Sequence, residues 1–101
     1  MVLTVFRSRL RPDMKDYPEL ATRMSELAKK MPGYISHKGF VAEDGERVTL
    51  VEFESEDAQR AWRMHPEHIA AQKMGRQAFY SEFRLQICSV QRETVFPPRA
   101  K

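Results

Sequence analysis

The chain has 101 residues, with 17 lysines and arginines against 14 aspartates and glutamates, for a formal charge of +3. That length makes one domain with a modest core, and the interleaved charges leave no basic arm or acidic tail, which argues against a nucleic-acid partner. Cys88 is the one cysteine; it excludes an intramolecular disulfide and fits a reducing compartment. No apolar run approaches the ~20 residues of a membrane span, and Met1–Arg7 lacks the charged start and cleavage site of a signal peptide. A bacterial-type cytoplasmic protein with no membrane partner is expected.

Val2 to Arg9 reads as a strand, apolar on both faces and rich in β-branched residues. Pro12-Asp13 punctuates it. Tyr17, Leu20, Ala21, Met24, Leu27, Ala28 and Met31 then form a helical stripe. With Asp16 as N-cap, Pro18 falls in the first turn, where its missing N–H is harmless. Lys29, Lys30 and Pro32-Gly33 end this helix. Tyr34 to Ala42 and Arg47 to Phe53 read as two strands, joined by a Glu43–Glu46 hairpin with Asp44-Gly45 at its tip. Ser55 caps a short helix with Glu56 and Asp57 in its first turn, running through Trp62 and stopping at His65.

Pro66 forbids a simple continuation. The residue before a proline is pushed out of the α region, so His65 ends one helix and caps the next, with Pro66 at the first helical position. The second piece is predicted over about Pro66 to Phe79. Ser81 to Arg92 reads as the last strand, with Phe83, Leu85 and Ile87 on one face and Arg84, Gln86 and Cys88 on the other. A tail over 96–101, with Pro97-Pro98, follows a domain over 1–95.

The order β-α-β-β-α-β, with the second helix broken near His65-Pro66, specifies an α+β ferredoxin-like sandwich. Both helices of this topology cover one face of the sheet. The other face still carries apolar side chains, and the chain has no element left to cover it. Burying even ~400 Å² there is worth on the order of 10 kcal/mol before association costs. A homodimer formed sheet to sheet is expected.

The densest chemistry lies around the helix break. Trp62, His65 and His68 fall within seven residues, and His68, Gln72, Gly75 and Phe79 share a helical face. Trp62 also reads as a core anchor, His65 as a cap, and Arg76 and Glu67 as surface charges. Met14, Met24, Met31 and Met74 read as core filler, and Cys88 as an inert buried thiol.

Phe53-Glu54-Ser55, Ala61-Trp62, His65-Pro66-Glu67-His68, Gln72, Gly75-Arg76 and Phe79-Tyr80 together resemble the antibiotic biosynthesis monooxygenase family, over about Val2 to Thr94. Pro32-Gly33 and the Asp44-Gly45 hairpin also fit. The resemblance implies a dimeric α+β barrel and a monooxygenase that needs no cofactor, oxidising a small phenol, quinol or anthrone with O₂. Such chemistry needs a base poised near neutrality, and histidine has an unperturbed pKa of about 6.5. His65 and His68 are the catalytic candidates. Trp62 would face the substrate ring, Gln72 would orient a hydroxyl, and Arg76 or Tyr80 would stabilise an oxyanion.

Members that bind a small aromatic or serve a stress role without catalysis are the alternative. The haem-degrading branch places an iron-binding histidine ten residues after the tryptophan and an asparagine on the first strand. Here those places hold Gln72 and Arg7 or Ser8. No zinc ligand set is recognisable. Lys38-Gly39-Phe40-Val41 echoes part of an RNA-recognition motif, but on the wrong strand.

Overall fold

A computed structural model describes residues 1–12 and 17–98. It contains β1 (Val2–Leu10), α1 (Tyr17–Lys29), β2 (Tyr34–Val41), β3 (Arg47–Phe53), α2 (Glu56–Arg63), α3 (Pro66–Met74), a π turn (Gly75–Phe79) and β4 (Tyr80–Ser89). The proposed cap Asp16, Met14, and residues 99–101 of the expected tail lie outside the described residues.

The strands lie in the order β2-β3-β1-β4, with every neighbouring pair antiparallel. This is the ferredoxin-like arrangement. The barrel implied by the resemblance is overturned, because the sheet is open. Its edges, β2 and β4, are three strand spacings apart, roughly 14 Å at ~4.8 Å each, and no described element bridges them.

Local chemistry explains most boundaries. The Ser55 side chain accepts the Ala58 N–H at 3.1 Å and starts α2. Gly45 adopts φ +90° in the hairpin, and Gly33 adopts φ +81° after α1. Gly33 is doubly required, since a Cβ there would lie 2.6 Å from that of Ala58. β4 stops at Ser89, three residues short of expectation. Its neighbour β1 begins at Val2, the partner of Ser89, and a backbone bond from Val90 N–H to the Met1 carbonyl follows.

The core sits on the helix-covered face, where Ala28, Val51, Phe53 and Trp62 are buried and Met24, Leu27, Met31, Tyr34 and Ala58 pack around them. Met74, expected as filler, is exposed. On the other face Leu3, Val5, Val48 and Leu50 are half-buried in the single chain. Cys88 lies beside Leu3 on this face and is exposed. The expectation of a buried thiol fails because no described element covers the sheet there.

Candidate functional site

Between the helices and the sheet lies a cavity of about 180 Å³. β1 contributes Thr4 and Phe6 to its lining, β2 His37, and β3 Thr49 and Val51; Trp62 comes from α2, and His68 and Gln72 from α3. Arg76, Tyr80, Phe83 and Leu85 complete the side nearest β4. Five of the six site residues named from sequence therefore meet at one cavity; His65 does not line it.

His65 is occupied at the helix break. Its backbone is extended, at φ −62° and ψ 132°, and its Nδ1 accepts the Glu67 N–H at 3.2 Å. That bond satisfies one of the donors that α3 leaves open, with Pro66 following at the first helical position. Glu67 is held elsewhere, accepting from Nε and Nη2 of Arg23 at 3.0 and 2.9 Å. This pair ties α3 to α1.

Trp62 serves two surfaces. It is 5% exposed within the core, and the imidazole of His68 stacks on it with ring centroids 4.1 Å apart and planes 18° from parallel. Burial pushes the His68 pKa down, opposed by the backbone of Arg63 and Trp62 and reinforced by His65. The ring is accordingly held toward the neutral form. Among the described residues no partner meets the His68 Nδ1 or the Thr4 hydroxyl on the sheet below in hydrogen-bond geometry, and both atoms are buried. Both residues belong to the cavity wall, although these two atoms are themselves covered.

The expected helix to Phe79 is not continuous α-helix. Over Gly75–Phe79 it widens into a π turn, and the Tyr80 N–H bonds to the Gly75 carbonyl five residues back. This wider turn changes which residues face inward. Gly75 and Phe79, expected on the pocket face, are buried against the fold, while Gln72, Arg76 and Tyr80 line the cavity. Gly75 permits this, because a Cβ there would lie 2.5 Å from the Tyr80 ring. Tyr80 packs edge-on to Phe6 at 5.3 Å between centroids, and the Arg76 guanidinium sits 5.6 Å over the Phe83 ring.

His37 was not anticipated. It pairs with Val51 across β2 and β3 and so faces the helices, with Nδ1 3.4 Å from the Ser25 hydroxyl. Burial, then the charge of Lys29, lowers its pKa. Counting back from the Asp44-Gly45 hairpin gives this register, which was the available signal. Nothing comparable in the sequence pointed to Thr4 or to buried Gln59.

The sequence profile described as "Antibiotic biosynthesis monooxygenase" matches residues 1–74. The uncharacterized protein YqjZ of Bacillus subtilis (strain 168) is 35% identical over 80 residues, covering 79% of this chain and 70% of that protein. Among solved structures, Rv0793 from Mycobacterium tuberculosis superposes with a TM-score of 0.82 at 19% identity, covering 93% of this chain and 98% of that one. SnoaB, a cofactor-independent oxygenase from Streptomyces nogalater, gives 0.77 at 16% identity, covering 96% and 97%. At such identities the structural matches establish a shared fold.

Proposed function

This chain belongs to the antibiotic biosynthesis monooxygenase family, and on that premise we propose that it oxidises a small phenol, quinol or anthrone-like aromatic with O₂, without a cofactor. The observation that carries this reading is a neutral-leaning His68 on the cavity wall, stacked on Trp62. A neutral imidazole with a free lone pair can take the proton of a bound hydroxyl. The resulting oxyanion is electron-rich enough to reduce O₂, and conversion of a phenol with one O₂ to a quinone and one water balances with no external reductant. SnoaB's description as a cofactor-independent oxygenase agrees with this chemistry.

Magnitudes favour assistance at the oxyanion. A phenol near pKa 10 lies ~3.5 units above an unperturbed histidine, so unaided proton transfer costs about 5 kcal/mol or more. Tyr80 and Gln72 are the lining donors that lower this cost. Trp62 and Phe6 supply apolar surface for the ring, and the cavity walls limit water around the anion. His65 acts through the cap of α3, keeping His68 in position.

A second copy of the chain is the proposed cover for the exposed sheet face, seated on Leu3, Val5, Val48 and Leu50. Incubation with phenols, quinols and anthrones under ¹⁸O₂ tests the activity. Label in the product with matching oxygen consumption supports it, and label from water alone refutes it.

A further inference from the structure

The cavity has a polarity beyond what aromatic oxidation requires. Four of its lining side chains are basic, His37, His68, Arg63 and Arg76, and none of the described lining residues is a carboxylate. Elsewhere Arg7, Arg9 and Arg23 are each held by an acidic partner. Arg76 is exposed at the cavity, lies beyond the span matched by the family profile, and rests on the Phe83 ring. A guanidinium braced on an aromatic face keeps its planar fork free for a carboxylate.

Depth separates the two ends. Thr4 on β1 is 7% exposed and His68 is half-buried, whereas Arg76 is exposed. Size limits what lies between them. The cavity is about 180 Å³, against roughly 150 Å³ for an engineered pocket that holds benzene. One ring, or a fused pair, fills it.

Building on the oxygenase reading above, we infer that the ligand is a one- or two-ring hydroxyaromatic acid, its hydroxyl toward His68 and its carboxylate on Arg76. The carboxylate supplies the negative charge that the lining lacks. A neutral aromatic of the same shape satisfies the deep end only.

Calorimetry with 4-hydroxybenzoate and 6-hydroxy-2-naphthoate, each against its methyl ester, tests this at pH 7. The acids are expected to bind about ten-fold tighter or more, as a charge-assisted bidentate contact gives. Arg76→Gln should bring the acids down to the level of the esters and leave the esters unchanged. Arg76→Lys, which keeps the charge without the fork, should fall between, and circular dichroism confirms that both variants fold. Esters binding as tightly as acids overturn the inference, as does equal weakening of both by Arg76→Gln. Oxygen uptake with neutral phenols but no acid preference removes this inference and leaves the oxygenase reading standing. Acid-selective binding without oxygen uptake does the reverse.

Discussion

The imidazole of His68 lies flat on the indole of Trp62, 4.1 Å between centroids, so one aromatic surface joins the hydrophobic core to the candidate site. Stability and site geometry are therefore coupled through Trp62. Trp62→Ala should cost about 3–5 kcal/mol, the usual range for emptying an aromatic core position, read as a lowered urea midpoint. Trp62→Phe should cost less and retain part of the stack. An alanine variant as stable as the parent would place Trp62 outside the core.

Acid should weaken the fold earlier than its carboxylates alone require. His37 and His68 both titrate below their ordinary value of 6.5 in the folded chain. As pH falls, the unfolded chain takes up these protons first, so the stability present above about 6.5 is lost as pH drops toward the folded values. Lys29 bears on His37 and His65 on His68, and no described carboxylate lines the cavity to offset them. The urea midpoint should fall between pH 7 and 5, and the paired change His37→Gln with His68→Gln should flatten that fall. The ion-paired carboxylates Asp44 and Glu67, also shifted down, act at lower pH.

Gly75 should resist substitution. In an ordinary helix alanine is favoured over glycine by about 0.5–1 kcal/mol. Here the added Cβ meets the Tyr80 ring at 2.5 Å, so Gly75→Ala should instead destabilise by about 1–3 kcal/mol. It should also weaken aromatic ligands by moving Tyr80. A stabilised Gly75→Ala variant would contradict the packing described for the π turn.

How much of this was legible in the sequence differs between the backbone and the cavity. Strand alternation, the Asp44-Gly45 hairpin, the Ser55 cap and the Pro66 break are local signals, and each appears where the residues place it. The open sheet was misjudged because closure depends on what lies beyond one chain's strands. The π turn was missed because i→i+5 bonding leaves no periodic mark over five residues. Gly75 and Phe79, expected beside His68 and Gln72, are buried there instead, while Arg76 and Tyr80, named from the sequence, line the cavity. Thr4 was passed over because a threonine on a strand reads as ordinary β-branched packing, and only its unpaired hydroxyl sets it apart.

The uncovered sheet face should associate. Light scattering at micromolar concentration is expected to give twice the 11.8 kDa of the chain. Leu50→Glu, placing a charge between Val5 and Lys38 on that face, should halve the mass while circular dichroism stays unchanged. A monomeric parent would remove the sheet-to-sheet dimer.

Oxygen consumption by the His68→Ala and His65→Ala variants tests the central claim most directly. With a phenol or quinol that the parent turns over, His68→Ala should lower kcat by about 100-fold or more, the scale of a lost general base. His65→Ala removes a helix cap, so it should cost about 1 kcal/mol of stability and leave kcat per folded molecule near the parent value. Equal uptake by the parent and His68→Ala, or a loss confined to His65→Ala, would contradict the account.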